Sequence, residues 1–377
     1  MAVQWGHGKG LASGQREPIY SLLTPYAAMP KHITGPTVWT ADELTADPSQ
    51  YLRTWTAAEI RELESAIAAV EARALPLAAV CKATFPLPTV GPVLEAVRQR
   101  LVHGNGVALL RGLPVKSWST RQCSICYLGI GSYIGPRLPQ NGAGHVLGHV
   151  KDLSSTDDTS PAGAGRIYRT HAAQAFHCDD CDVVGLLCLE TARRGGESQI
   201  VSSHHVWNVL CATRPDVAAC LAAPHWFYDR KGEKSAGEAD VMRVPGFYHH
   251  AGRLTCKWDS YYVAALDRFW AAGALPPYTP AQHEAVRVME ATCAAEALWM
   301  RLEVGDVQFV ANTHVLHARS AYEDDTESGT QRWLQRLWLS TPESEGGWKL
   351  PFADSAYEKR GGVQVDETPE TYPLEAE

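Results

Sequence analysis

Long apolar runs are missing from this 377-residue sequence. No window approaches the ~18 uninterrupted apolar residues of a membrane-crossing helix, so no membrane partner is expected. The opening residues, Met1 to Gly10, show no apolar segment behind a basic start, so no secretory leader is expected. Basic clusters are missing too: 34 Lys and Arg face 42 Asp and Glu, a net charge of −8. Phosphate backbones are bound by clustered cations, so nucleic acid is not an expected partner. The ten cysteines are scattered, which without a leader points to reduced, largely buried thiols and a cytoplasmic protein. There is no internal repeat and no low-complexity tract. What is present is a core-forming composition, 45% hydrophobic and 20% charged, enough for one elaborate domain or two smaller ones. Nothing in it decides whether the chain forms a homo-oligomer.

Residues 1–50 are rich in Gly, Pro and Thr without a sustained period and read as an irregular arm. Thr56-Ala-Ala-Glu59 has the form of a capping box ahead of Ile60, Leu63, Ile67 and Val70, which recur at helical spacing. Further helices are expected over Val93–Val102, stopping at Gly104, and over Ser119–Tyr133, with a buried strand at Gly106–Leu110 between them. From about residue 145 the texture changes to short strands, Val183–Leu189 and Ser198–Ser202 among them. Helices follow near 204–212 and 215–222, strands near 225–230, 244–249 and 252–258, and helices over 260–271 and 280–297. The last strands are Val307–Ala311, His314–Ala318 and Arg332–Leu339. Strands on both sides of inserted helices indicate a mainly β core with helical decoration (α+β), not alternating βα units. On this reading 51–340 is a single domain and 341–377 a tail packed on its surface.

Among the fifteen histidines only one begins a His-x-Asp or His-x-Glu triplet, His177-Cys178-Asp179. A spacing of two puts both side chains on one side of an extended segment. An imidazole and a carboxylate there make two thirds of a facial triad, which leaves iron positions open for a cosubstrate and dioxygen. His317 is the best candidate for the third ligand, beside a strand in which Val307, Phe309 and Ala311 alternate with Gln308, Val310 and Asn312. His314 is its rival, and spacing leaves the choice open. Asn312 or a nearby carbonyl is expected to orient the ligating imidazole. In Arg332–Ser340, Arg332, Leu334, Arg336 and Trp338 share one face. Two arginines on an otherwise apolar strand call for an anionic partner, and a small dicarboxylate such as 2-oxoglutarate supplies one. Cys123-x-x-Cys126 and Cys178-x-x-Cys181 also allow zinc or redox readings, but both fit better as incidental. Gly129-Ile-Gly131-Ser-Tyr-Ile-Gly135 spaces its last glycine wrongly for a dinucleotide loop.

Taken in order, Phe176–Asp179, Leu186–Ser198 with its Arg-Arg-Gly-Gly-Glu turn, Gly305–Phe309, Val315–Arg319 and Arg332–Ser340 resemble the TauD/TfdA family of taurine-type dioxygenases. The resemblance covers about 145–345 well and the N-terminal part more loosely. It implies a double-stranded β-helix, or jelly roll, with inserted and N-terminal helices and a metal at its mouth. It implies His177, Asp179 and His317 as Fe(II) ligands, so His317 over His314. Ser198 and Arg332 match the residues that bind 2-oxoglutarate, and Arg336 matches a second arginine near cosubstrate and substrate. The two arginines are able to exchange roles, because the loop before them carries extra residues. Cys178 departs from the Thr common in the family. Asp179, in place of Ala or Gly, argues against halogenation. The implied reaction uses dioxygen and 2-oxoglutarate to hydroxylate a C–H bond of a small polar or acidic molecule, releasing succinate and CO2. Desaturation or ring formation is the alternative, and a non-catalytic metal-binding jelly roll is a further one. His171, Gln174, Tyr261, Tyr262 and Arg336 are the candidates for contacting that substrate.

Overall fold

The computed structural model describes residues 23–154, 167–235, 239–325, 327, 329–351, 361–363 and 365–376. The first part of the expected arm and segments of the expected tail lie outside the described residues.

The N-terminal helices form where their local signals stand. Ala57–Ala72 starts from a reciprocal cap: the Glu59 N–H donates to Thr56 Oγ1, and the Thr56 N–H donates to the Glu59 carboxylate. Val90–His103 ends at Gly104, and Thr120–Ile134 starts from a second such box made by Ser119 and Gln122. A third box, Thr40 with Glu43, opens a helix over Ala41–Ala46, inside the segment expected to be irregular. Its 6 residues are too few to show a hydrophobic period, so only the cap marks it.

The three longer helices cover one face of a large sheet. Among the described residues its strands lie in the order Leu52–Thr54, Val107–Arg111, Val307–Ala311, Val183–Glu190, Trp333–Leu339, and both Arg137–Leu138 and Leu147–Lys151 pair with the far side of the last. Leu52–Thr54 runs parallel to its neighbour and the other pairings are antiparallel. Alternation divides the side chains: Val183, Leu187, Val307, Phe309, Leu337 and Leu339 pack under the helices, while Val184, Val310, Leu334 and Trp338 face inward. Opposite lies a small antiparallel sheet ordered Leu298–Met300, Ser198–Ser202, Val315–Arg319, Gln174–His177. Its Ile200 and Val315 meet the large sheet, and its Val201, Leu316 and Ala318 pack into a second apolar layer with helices Ser203–Thr213, Pro215–Ala222 and Pro280–Glu296. Two sheets face to face, with helices outside both, realise the expected jelly roll.

Two expected elements divide. The strand placed over 244–249 is two, Val241–Val244 and Phe247–His250, because Pro245-Gly246 turns the chain between them. The helix placed over 260–271 is also two, Ser260–Ala264 and Asp267–Ala271. No Gly or Pro marks that break, which falls between the fully buried Val263 and Leu266. The segment after Thr341 does more than cover surface. Trp348 is buried, stacks on His314 and donates its indole N–H to the Val102 carbonyl.

Gly185 sits in a central strand directly beneath a helix. A Cβ there would lie 2.6 Å from the Tyr127 hydroxyl oxygen and 2.7 Å from Phe309 Cε1. Gly185→Ala is therefore expected to cost about 1–3 kcal/mol by overpacking. Adding Tyr127→Phe removes one of the two clashing atoms and restores part of the loss. Denaturant unfolding of the single and double variants measures this as a coupling energy, and strictly additive values would refute the close approach.

Candidate active site

His177 ends the strand Gln174–His177 and lies directly across from His317, in the strand Val315–Arg319. The ring centroids are 4.1 Å apart. The register then shifts, so that Arg319 pairs with Gln174 and the outer strand carries one extra residue. That bulge lets Gln174 and His177 share the inner face, with the Gln174 amide nitrogen 3.0 Å from His177 Nε2. Cys178 turns the opposite way into the core behind the small sheet, where its sulfur accepts the Trp258 N–H at 3.1 Å. Asp179 returns to the inner side, as a period of two requires. Its Oδ1 is 3.9 Å from His177 Nε2 and its Oδ2 is 3.7 Å from His317 Nε2. One ligand atom from each of the three residues lies within 4.8 Å of the other two. His314 is elsewhere, stacked on Trp348.

The protonation states suit a cation. His177 Nδ1 lies 2.9 Å from the Ala175 carbonyl, so the ring turns Nε2 toward the cluster, with the Gln174 amide nitrogen as its neighbour. Burial, with His177 alongside, pushes the His317 imidazole down to about 3, so it is neutral. Burial pushes the Asp179 carboxyl up, but its neighbours, the Arg336 guanidinium foremost, outweigh that and hold the group below its ordinary value. Asp179 Oδ2 is buried and has no hydrogen-bond partner among the described residues. An orphaned buried carboxylate oxygen facing two imidazoles is a donor set that fits Fe(II) and leaves further coordination positions open. The expectation for Asn312 is corrected. It does not orient an imidazole: placed just past the end of its strand, level with Asp179, its Oδ1 accepts the Asp179 N–H at 3.2 Å. His317 Nδ1 finds no partner among the described residues.

A cavity between the sheets runs from this cluster past Ser198 to Arg319 and Arg332. The Ser198 hydroxyl accepts from Gln308 Nε2 at 3.0 Å. Gly195 and Gly196, both at positive φ, turn the chain into the Ser198 strand. A Cβ on Gly196 would lie 2.8 Å from Arg332 Nε, so the turn also leaves room for that guanidinium. Arg332 is buried, and its Nη1 has no partner among the described residues. Arg336 is placed differently: its Nε donates to Gln140 Oε1 at 2.7 Å, and its Nη1 is 3.8 Å from Asp179 Oδ1. It stands between this cavity and a second one on the other side of the cluster.

Gln174 and Tyr262, both expected near substrate, line that second cavity. His171 and Tyr261 line neither, and both are corrections. His171 is exposed and bonded to Asp152, upstream of the ligand strand, and an extended chain moves away at about 3.3 Å per residue. Tyr261 adjoins Tyr262 on a helix, where consecutive side chains diverge, and it lines an outer groove. Several lining residues escaped the sequence reading. Lys257 is buried and ion-paired with Asp180, and Asp259 caps the Ser260–Ala264 helix while facing the cavity. Burial pushes the Asp259 carboxyl up. No local pattern marks either residue. Val363, from the expected surface tail, also reaches this wall. Arg319 was legible, because it lies two places after His317 on the same strand face.

The family model for taurine catabolism dioxygenase TauD, TfdA family, matches residues 71–338. The chain is 27% identical over 343 residues to FR-33289 synthase of Streptomyces rubellomurinus, spanning 90% of this chain and 98% of that protein. It is 29% identical over 319 residues to the taurine hydroxylase-like protein SAT17 of Stachybotrys chartarum, spanning 83% of this chain and 80% of that one. Its fold is similar to that of an asparagine oxygenase in complex with Fe(II), 2S,3S-3-hydroxyasparagine and succinate, with a TM-score of 0.59 at 19% identity, covering 77% of this chain and 94% of that one. The non-heme iron oxygenase OrfP, in complex with Fe and alpha-ketoglutaric acid, is similar over the same shares, with a TM-score of 0.56 at 14% identity. With the family match spanning most of the chain, this protein is a 2-oxoglutarate-dependent dioxygenase and belongs to the taurine catabolism dioxygenase TauD, TfdA family.

Proposed function

We propose that His177, Asp179 and His317 hold Fe(II), that Ser198 and Arg332 anchor 2-oxoglutarate, and that the protein hydroxylates a C–H bond of a small polar molecule. The observation that carries this is the convergence of the three side chains between two cavities of different character. Bound iron, 2-oxoglutarate and dioxygen supply the oxidising power, with succinate and CO2 as coproducts. The chain's own residues do the positioning. Ser198 and the unmatched Arg332 N–H face the narrow cavity, where a carboxylate satisfies them both. Arg336, held by Gln140, keeps Asp179 ionised. Apolar residues of both sheets wall the centre from water, which strengthens each of these interactions.

The wider cavity takes the substrate. Charged groups of both signs line it, Lys257 with Asp180 and, two residues along the chain, Asp259, beside Tyr228, Met242 and Tyr262. Such a wall suits a compact molecule bearing both donors and acceptors, such as an amino acid or a related metabolite. The folds of the asparagine oxygenase and of OrfP in complex with (3S)-hydroxy-L-Arg support that class. An oxygen-consumption screen over amino acids, sulfonates and small acids tests the reading. It expects succinate release that requires Fe(II), 2-oxoglutarate and oxygen together, and turnover in anaerobic buffer without 2-oxoglutarate would overturn it.

Asp179→Ala and His317→Ala are each expected to reduce succinate release to background while the fold persists, checked by Fe(II) titration and circular dichroism. Chelation of wild-type protein should give the same loss, reversed by added Fe(II). Arg332→Met removes one partner of a buried charge pair, a loss of about 2–5 kcal/mol, so the KM for 2-oxoglutarate should rise on the order of 30-fold or more. Arg336→Met should act instead on kcat and on Fe(II) affinity.

A further inference from the structure

Two guanidiniums, not one, end the narrow cavity without enough acceptors. Arg319 and Arg332 are both buried, and both line it. Arg319 reaches it from the small sheet, directly across from Ser198, and Arg332 from the end of a strand in the large one. Arg319 Nη2 donates to the carbonyls of Thr170, at 3.0 Å, and Ala172. Its Nε and Nη1 are buried with no partner among the described residues, as is Nη1 of Arg332. The Tyr322 ring lies 4.9 Å from one guanidinium carbon and 5.1 Å from the other, which eases their mutual repulsion without supplying an anion. The carboxylates close enough to be felt are spent elsewhere: Asp152 on His171, Glu197 on Ser320, and Asp324 on the Arg332 backbone N–H. Unmatched buried N–H groups on two neighbouring cations cost far more than one structural anchor would justify.

We propose that Arg319 is a second cationic anchor for the distal carboxylate of 2-oxoglutarate, acting with Arg332, and thereby selects dicarboxylic over monocarboxylic keto acids. This rests on the narrow cavity being the 2-oxoglutarate site. The two arginines come from different sheets, so the carboxylate also ties the sheets together at the inner end of the cavity. Arg319 is a binding residue here. The competing role is purely structural, holding the Thr170–Ala172 segment that leads into the His177 strand.

Anaerobic calorimetric titration of the Fe(II)-loaded protein separates the two roles. The probes are 2-oxoglutarate and 2-oxopentanoate, which has the same chain length and a methyl group in place of the distal carboxylate. Wild type should bind 2-oxoglutarate the more tightly. Arg319→Met should weaken 2-oxoglutarate by about tenfold or more, as expected for a lost charged hydrogen bond, and leave 2-oxopentanoate unchanged. Arg319→Lys should recover part of the loss, and it carries the comparison if the Met variant does not fold. Equal loss for both probes, or no loss for 2-oxoglutarate, overturns the anchor. A wild type that does not discriminate between the probes overturns the assignment of the cavity itself, and the anchor with it.

Discussion

The His317–His177 cross-strand pair is the constraint on which the rest of the centre depends. Adjacent strands bring their two imidazoles within 4.1 Å, and the bulge just beyond keeps both His177 and Gln174 turned inward. Without that extra residue, the strand's period of two would turn Gln174 and His177 to opposite faces. Asp179 then enters from just past the strand end, its backbone held by Asn312. The ligand geometry is thus a property of one strand pairing and its immediate continuation, set in a rigid sheet.

Burying this much charge between two sheets is costly unless each group has a counterpart. The structure meets the requirement by sheet. The small sheet supplies the imidazoles and Arg319, with Asp179 just beyond it, and the large sheet supplies Arg332 and Arg336. Arg336 stabilises the Asp179 carboxylate, while Gln140 and the Tyr168 and Trp338 rings hold it in place. Arg319 and Arg332 remain short of acceptors, which is why that end of the cavity reads as a carboxylate site. The helical layers outside both sheets hold the sheet-to-sheet distance, and with it every contact across the gap.

What local chemistry could announce, the sequence announced. Capping boxes at Thr56 and Ser119 mark helix starts, and alternation in Val307–Ala311 and Arg332–Leu339 separates core face from site face correctly. Pro245-Gly246 also signals the turn that divides the expected strand in two. The short helix at Ala41 was signalled by its Thr40–Glu43 cap alone, and the break after Ala264 was not legible. One is too brief to show a period, and the other follows burial demands that appear only when Val263 and Leu266 meet the core.

By itself, the sequence determined the chemistry available: a lone His-x-Asp triplet, a downstream histidine, two arginines on one strand face, and a glycine turn before Ser198. It could do so because the periods of strand and helix are local. Only the tertiary structure decided how those residues are used. It put Arg336 beside Asp179 and Arg332 at the far end of a cavity. It moved His171 and Tyr261 away from the centre, and brought in Lys257, Asp259 and Val363 from distant segments. Such choices depend on the packing of one sheet against the other, and that packing sums contacts no single stretch of chain contains.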